Sequence, residues 1–294
     1  MSSNAGRQEN MFERDERTLS RDALMLLDRG TILAKDALLP LLMSPDGHGA
    51  LTFSADSDCL VDEAGNCYPF RGDIPLLIPS PLMRFYTDHL KIDQSAVTDS
   101  FLQYYFLSSV KHAGVVTEIN APADSIDYQR HLFRMRSFLH TARGLVLDVG
   151  CDDPEIGAAL LPPSTRYVGL DPFCRRLQPF RVIGFGEQLP FLNNSFDCIM
   201  FNTSLDHILD WRRAIGEARR VLVPGGLLYI STLIWTDRAD LVTDAVHFHH
   251  FRDYEIFGAL QDWGPVEERR YDYKGASHRH GLYLSVRKPG QKRA

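Results

Sequence analysis

The sequence predicts an α/β fold: a doubly wound, mostly parallel sheet with a small N-terminal turn-rich β module and connecting helices. From Gly144 onward, short apolar runs alternate with helical segments, which is typical of parallel strands covered on both faces. Residues 43–81 instead alternate short apolar runs with turn signals such as DEAGN and RGD, which indicates a small β unit. Hydrophobic residues make up 44% and charged residues 24% of the 294-residue chain, so collagen-like, coiled-coil and wholly disordered proteins are excluded.

The chain is expected to fall into four parts. Apolar residues at helical spacing over residues 18–42, interrupted by Gly30, predict two short helices before the β module. Prolines at positions 75, 79 and 81 mark the end of that module. The four parts are a flexible tail (1–17), an N-terminal helix with the β module (18–81), a helical connector or lid (82–127) and the main domain (128–294).

The main domain is expected to alternate strands and helices. Residues 128–139 predict its first helix, because apolar residues recur on one face with basic residues between them. Residues 210–222 predict an amphipathic helix that ends before the Pro-Gly-Gly segment at 224–226, and a further helix is expected at 254–261. The predicted strands are residues 145–147, 167–170, 180–183, 198–201, 227–231, 266–271 and 281–286.

Charge, cysteine content and hydropathy limit the class of protein. The formal net charge of −6 is a poor match for nucleic acid, so no nucleic-acid partner is expected. Five scattered cysteines predict reduced thiols and not a disulfide framework. No apolar run reaches the length of a membrane span, and the polar N-terminus lacks the apolar core of a signal peptide. We therefore expect a cytoplasmic protein.

Two aspartates stand at the ends of successive predicted strands. Asp148 ends the first strand and is followed by Gly150, whose missing side chain permits a backbone path close to a ligand. Asp171 ends the second strand, where a carboxylate can accept hydrogen bonds from both hydroxyls of a ribose. Either aspartate alone is more simply a helix cap or a turn residue. Together they favour a nucleoside site.

Three ordered motifs follow these strands: LPF at 189–191, SFD at 195–197 and RVLVPGG at 220–226. With LVLDVG at 145–150, they resemble the class I S-adenosylmethionine-dependent methyltransferases over most of the main domain. The resemblance implies a Rossmann-like, mostly parallel seven-stranded sheet, S-adenosylmethionine as cofactor, and methyl transfer to a small-molecule or glycan acceptor. The alternative is a non-catalytic binding or scaffold protein that retains the fold.

The resemblance also implies roles for individual residues. His207, which follows the fourth strand, is the first candidate for a general base because histidine titrates near neutrality, and His250 is the second. His207 could equally hydrogen-bond within its loop. The implied cofactor contacts are Asp148, Gly150 and Cys151 on the methionine side, Asp171 and Pro172 at the ribose, Glu187, Gln188 and Leu189 along the adenine, and Asn202 and Thr203 near the transferable methyl.

The sequence departs from the family pattern at three positions. Asp152 and Pro154 replace the second and third glycines of the family loop, and Phe185 stands where related enzymes often have an aspartate that meets the adenine. Proline is compatible with a helix if it occupies the first helical position. A nicotinamide-binding alternative fits worse, because the G-x-G-x-x-G pattern that it needs after the first strand is missing.

Residues 41–79 resemble a second family, the small zinc-ribbon proteins that act as activating partners of methyltransferases, through segments such as YP at 68–69 and GDIP at 72–75. Serine, glycine, valine and alanine stand where zinc-binding relatives have cysteines, and they supply no usual zinc ligand. We expect a metal-free ribbon-like module with a surface for a protein partner. The substituted positions are Ser44, Gly47, Val61 and Ala64.

The HFHHF segment, with His247, His249 and His250, leaves three interpretations open. The histidines could pack before the next helix, contact the substrate or act as a base, or hold a metal ion. Packing is favoured and no metal site is predicted, because the sequence shows no convergent partner ligands.

Overall fold

The computed structural model describes residues 16–47, 49–80, 125–172, 181–236, 247–272 and 278–290. The helices are α1 (Arg21–Met25), α2 (Lys35–Leu38), α3 (Ile126–Phe138), α4 (Pro154–Leu160), α5 (Trp211–Val221) and α6 (Asp253–Ala259). The strands are β1 (Thr31–Ile32), β2 (Thr52–Ser54), β3 (Cys59–Val61), β4 (Cys67–Arg71), β5 (Ile74–Pro75), β6 (Gly144–Val149), β7 (Thr165–Asp171), β8 (Arg181–Ile183), β9 (Phe196–Asn202), β10 (Leu222–Trp235), β11 (Val266–Asp272) and β12 (Arg279–Arg287).

The predicted α/β fold class is confirmed. The large sheet has the order β1-β7-β6-β9-β10-β12-β11, with β8 paired to β7 off this path, and β12 runs antiparallel to both of its neighbours. Apolar side chains alternate between the two faces of the sheet. Val146 of β6 packs in a cluster with α3 and α4, whereas Leu147 packs in a second cluster with α5 and α6. Helices therefore cover both faces of the sheet.

The sheet has eight strands where the resemblance implies seven, because β1 joins it from the N-terminal part of the chain. Thr31 and Ile32 pair in parallel with the start of β7, and β8 pairs in parallel with its end. Two short strands thus share one edge of β7. The two short helices expected around Gly30 are present as α1 and α2. Ile32, which matched the helical spacing, lies in a strand because its backbone completes this edge.

The small sheet has the antiparallel order β2-β3-β4-β5 and shares the core of the large one. Leu76 forms a bridge to Ile183 of β8, and Leu42 forms one to Phe191. Tyr68 of the small sheet is fully buried in the same apolar cluster as α5. The likeness of this module to activator ribbons stays a prediction.

Cys59 and Cys67 form a disulfide that joins β3 to β4, with their Cα atoms 6.0 Å apart. Antiparallel pairing sets Cys59 opposite Pro69 and Cys67 opposite Val61, so the two cysteines are diagonal neighbours across the hairpin. The expectation of reduced thiols is wrong for this pair, because pairing of the strands brings together residues that the sequence separates. Cys151 and Cys198 are free and buried.

A cluster of hydrogen-bonded polar side chains surrounds Asp62 in the small module. Ser44 Oγ donates to Asp62 Oδ2 at 2.9 Å, and the Tyr68 hydroxyl lies 3.0 Å from the same oxygen and 2.5 Å from Asp46 Oδ2. Burial alone would raise the pKa of Asp62, but hydrogen bonds from Asn66, Ser44 and Tyr68 outweigh it and lower the pKa to about 2. The Asp62 carboxylate therefore stabilises the module in its charged form.

Asp62→Ala is expected to destabilise the protein by about 2 kcal/mol at neutral pH, because it leaves buried donors without an acceptor. The pKa of Asp62 is lower in the folded chain than in the unfolded one, so its contribution is present above about pH 4 and is lost as the pH falls toward 2. Urea unfolding of both proteins measures the difference. Asp56→Ala, at an exposed turn position, is the control and should change stability by less than about 0.5 kcal/mol. Equal effects of the two variants would contradict the prediction.

The predicted tail and the predicted connector fall mostly on residues that the structure does not describe. The tail up to residue 15, and the connector from 82 to 124, lie outside the described residues.

Helix α3 begins after Ser125, whose hydroxyl accepts a hydrogen bond from the backbone N–H of Tyr128. Among the described helices, none combines the length and the apolar character needed to cross a lipid bilayer.

Candidate functional site

Asp148 and Asp171 meet at the carboxyl edge of the large sheet. Asp148 of β6 pairs with Gly169 of β7, and Asp171 lies two residues farther along β7. Side chains two residues apart share a face, so both carboxylates lie on the same side of the sheet. Both aspartates are buried, with 2% and 8% of their surface exposed. The predicted pair of acidic strand ends is therefore brought together.

Asp148 accepts a hydrogen bond from the Tyr167 hydroxyl, which lies 2.8 Å from its Oδ2 atom. Burial raises the pKa of Asp148 to about 7, and the nearby charge of Asp171 adds to the rise, while the hydrogen bond from Tyr167 opposes it. The Oδ1 atom of Asp148 is buried and has no hydrogen-bond partner among the described residues. A buried carboxylate oxygen of this kind can receive a cationic or hydrogen-donating ligand.

The loop after β6 passes directly over this pair. Gly150 has φ +82°, and a Cβ placed there would lie 2.4 Å from Ser204 Cβ. Asp152 also adopts a left-handed conformation, at φ +42°, with its side chain exposed. Its backbone N–H donates to Asp171 Oδ2 at 3.0 Å. Pro154 occupies the first position of α4, so neither departure from the glycine pattern prevents the loop from forming.

Arg181 supports the same loop from β8, and the sequence patterns did not reveal it. Its side chain is buried, and Nη1 donates to the backbone carbonyl of Asp152 at 2.6 Å. Burial raises the pKa of the Cys151 thiol, as do the charges of Asp171 and Asp148, whereas Arg181 opposes the rise. The thiol is therefore neutral. The one signal in the sequence was a charged residue at the start of an otherwise apolar strand.

Asn202, at the end of β9, is linked to a histidine that no sequence motif singled out. His131 of α3 places Nε2 3.1 Å from Asn202 Oδ1 and Nδ1 2.8 Å from the Tyr283 hydroxyl. Burial lowers the pKa of His131 to about 4, so the ring is neutral at physiological pH. The hydrogen bonds are satisfied if Nε2 donates to Asn202 and Nδ1 accepts from Tyr283. Thr203 follows with φ +53°.

The two candidate bases lie in one aromatic cluster beyond β9 and β10. The rings of His207 and His247 stack with centroids 4.9 Å apart, and His250 stacks on Trp235 at 3.9 Å. His249 instead places Nε2 3.0 Å from the carbonyl oxygens of Ile208 and Leu209, which is a packing role. The structure thus separates the HFHHF histidines: two join the cluster with His207, and one holds the loop.

The part of the chain that carries both acidic strand ends is similar to a known protein family. Residues 147–230 match a family model described as a methyltransferase domain. That range spans β6 to β10. The match shows that this part of the chain is similar to methyltransferase domains.

Individual relatives are similar to parts of the chain. A 37.1 kDa protein from a transposon of Streptomyces fradiae is 30% identical over 125 residues, which cover 36% of either chain. Demethylmenaquinone methyltransferase of Corynebacterium glutamicum is 43% identical over 51 residues, 17% of this chain and 22% of the enzyme. The chain therefore spans only about a third or less of the length of these relatives.

Among solved structures, Burkholderia thailandensis 1,6-didemethyltoxoflavin-N1-methyltransferase, with bound 1,6-didemethyltoxoflavin and S-adenosylhomocysteine, is similar in fold. It has a TM-score of 0.48 and 18% identity, and the alignment covers 63% of this chain and 90% of that one.

Within residues 147–230, the residues implied to line the adenine are held by protein contacts. Glu187 is buried and accepts a hydrogen bond from the backbone N–H of Asp210 at 3.3 Å. Gln188 donates to the carbonyl of Pro45 in the small module. Leu189 is fully buried in the core. Pro172 directly follows Asp171, at the border of the described residues. The roles of these residues in cofactor binding stay predictions.

Asp148→Asn is expected to remove a pH-dependent loss of stability. The pKa of Asp148 is about 7 in the folded chain, against 3.8 for an aspartate in its ordinary solvated state. The folded chain therefore binds this proton more tightly, and its stability falls as the pH rises toward 7. Relative to the wild type, the asparagine variant should gain about 2 kcal/mol between pH 5 and pH 8. Urea unfolding at both pH values measures this gain. Asp73→Asn, on an exposed carboxylate, should show none, and a pH-independent difference for Asp148→Asn would contradict the assignment.

Proposed function

We propose that the protein transfers a methyl group from S-adenosylmethionine to a small-molecule or glycan acceptor. The observation that carries this proposal is the pair of buried carboxylates, Asp148 and Asp171, at adjacent strand ends beneath a loop in which Gly150 is left-handed. The match of residues 147–230 to a methyltransferase domain supports it. Bound cofactor supplies an electrophilic methyl group on a sulfonium.

The residues present fit such a cofactor. The Oδ1 atom of Asp148 is buried without a hydrogen-bond partner among the described residues, which suits a cationic amino group. Asp171 presents a carboxylate at the strand end where ribose hydroxyls are commonly bound. Gly150 keeps the backbone open where any Cβ would collide with Ser204. Cys151 and Pro172 flank this cradle, and Asn202 and Thr203 end the neighbouring strand β9.

We place the acceptor at the aromatic cluster that contains His207, Trp235 and His250. His207 is the first candidate to take a proton from the acceptor and His250 is the second, since both rings lie in the cluster that follows β9 and β10. Methyl transfer by in-line displacement needs little covalent help from the protein, so positioning and a deprotonated nucleophile carry most of the rate. Partly exposed imidazoles beside buried aromatic surface suit a planar or hydroxylated acceptor.

A specific observation also favours the alternative, a non-catalytic binding or scaffold protein. Phe185 is buried at 5% exposure where related enzymes often place an aspartate that meets the adenine. The side chain at position 185 therefore cannot make that polar contact. If the remaining contacts are insufficient, the domain keeps the fold without the cofactor.

Isothermal titration of the full chain with S-adenosylmethionine separates the two functions. Methyl transfer predicts saturable binding of one equivalent and release of S-adenosylhomocysteine when pools of small molecules or glycans are supplied. His207→Ala and His250→Ala should then reduce turnover while leaving cofactor affinity within a few-fold of the wild type. No heat and no thermal shift at millimolar cofactor would reject the enzyme and support the scaffold.

A further inference from the structure

Asp206, His207 and His247 form a compact group with the composition of a metal site. Their ligand atoms all lie within 4.8 Å of one another. His207 Nε2 is 3.9 Å from Asp206 Oδ1, and His247 Nε2 is 3.7 Å from Asp206 Oδ2. Each imidazole thus faces a different oxygen of the same carboxylate.

The carboxylate at the centre of this group is buried and incompletely satisfied. The Asp206 side chain is 3% exposed, and its Oδ1 atom has no hydrogen-bond partner among the described residues. Leaving a buried carboxylate oxygen without a partner is costly, and a bound ion or water is one way in which proteins satisfy such an atom. This oxygen is the one that faces the His207 ring.

The backbone fixes the two loops that supply these ligands. The carbonyl oxygen of Asp206 accepts hydrogen bonds from the N–H groups of Phe248 and His249, at 3.0 and 3.2 Å. The loop after β9 and the loop after β10 are therefore tied together beside the ligand atoms. A site assembled in this way exists before any ion arrives, which favours binding.

We propose that Asp206, His207 and His247 bind a divalent transition-metal ion. Separations of 3.7 and 3.9 Å are too long for hydrogen bonds between the imidazoles and the carboxylate. They suit an intervening ion, because metal bonds of about 2.0–2.2 Å place neighbouring ligand atoms roughly 3 to 4 Å apart. Two imidazoles and one carboxylate select zinc, iron, cobalt or nickel over magnesium or calcium, which prefer oxygen ligands.

The ion would keep open coordination positions toward solvent. The side chains of His207 and His247 are 23% and 14% exposed, while Asp206 closes the buried side. An acceptor with a hydroxyl or carboxylate oxygen could take an open position, where the ion lowers the pKa of the bound hydroxyl. This choice of acceptor rests on the proposed function. The metal site itself uses no cofactor residue. It shares His207 with the proposed function, and His207 acts as the base only when it does not ligate the ion.

The test is binding of the metal alone to the full chain, purified without a histidine tag and stripped with chelator. One equivalent of Co²⁺ should give visible absorption bands of a nitrogen- and oxygen-ligated ion, and Zn²⁺ should displace it. Elemental analysis after dialysis gives the stoichiometry. No S-adenosylmethionine is present in this experiment. Its result therefore tests the metal site separately from the test of methyl transfer, and either proposal can fail while the other holds.

Matched variants connect the signal to these residues. His207→Ala and His247→Ala should each weaken Zn²⁺ affinity at least tenfold, whereas His140→Ala, which removes an exposed imidazole elsewhere, should leave it unchanged. Circular dichroism checks that each variant is folded, and Asp206→Asn gives a third test of the same site. Absence of stoichiometric binding, or equal affinity in the His207, His247 and His140 variants, would overturn the proposal.

Discussion

Asp171→Ala is expected to weaken binding of S-adenosylmethionine at least a hundredfold. The proposed ribose contact loses two hydrogen bonds to a charged acceptor, each of which contributes about 1.5 kcal/mol or more. The substitution also removes the acceptor of the Asp152 backbone N–H, a hydrogen bond of 3.0 Å that fixes the loop over the pocket. Calorimetry on folded protein measures the loss directly.

Two further variants separate these contributions. Asp171→Asn keeps one oxygen acceptor for the Asp152 N–H but removes the charge, so its affinity should lie between those of the wild type and the alanine variant. Asp73→Ala removes an aspartate whose side chain is 76% exposed in the small module and should bind the cofactor normally. Normal affinity in Asp171→Ala would show that the acidic strand ends do not form the cofactor site.

The architecture could be predicted from the sequence because its strands are buried on both faces. The continuous apolar runs around Leu147, Val168 and Ile199 match β6, β7 and β9, and no polar residue interrupts them to suggest another element. Asp148 and Asp171 could be predicted for a related reason: a carboxylate directly after such a run stands at a strand end, where parallel strands place their ligands.

Other features depend on contacts between distant segments, which local patterns do not report. His131 looks like one basic residue among several on α3, and only packing against Asn202 and Tyr283 makes it a neutral, buried ring. The pairing of Cys59 with Cys67 requires the register of a hairpin. The position of Asp206 between two histidines requires the loop after β10 to fold back onto the loop after β9.

Gly150→Ala is expected to destabilise the protein far more than Gly225→Ala, although the two glycines share nearly the same backbone conformation. Their φ values are +82° and +80°, so an L side chain costs about 1 to 2 kcal/mol at either position. At Gly225 nothing lies within 4 Å of the added Cβ, whereas at Gly150 it would meet Ser204 Cβ at 2.4 Å. We expect about 1 kcal/mol for Gly225→Ala and about 3 to 5 kcal/mol for Gly150→Ala in urea unfolding.

The size of this difference follows from how firmly Ser204 is held. Its hydroxyl donates to the Val149 carbonyl and its side chain is buried, so it cannot rotate away from an added Cβ without losing a buried hydrogen bond. The loop after β6 and the loop after β9 would have to separate instead. Adding Ser204→Gly to Gly150→Ala removes the colliding atom and should recover roughly 2 kcal/mol, leaving the backbone strain and the loss of the Ser204 hydrogen bond. If the double variant is no more stable than Gly150→Ala, the close approach of these two loops is not what requires glycine at position 150.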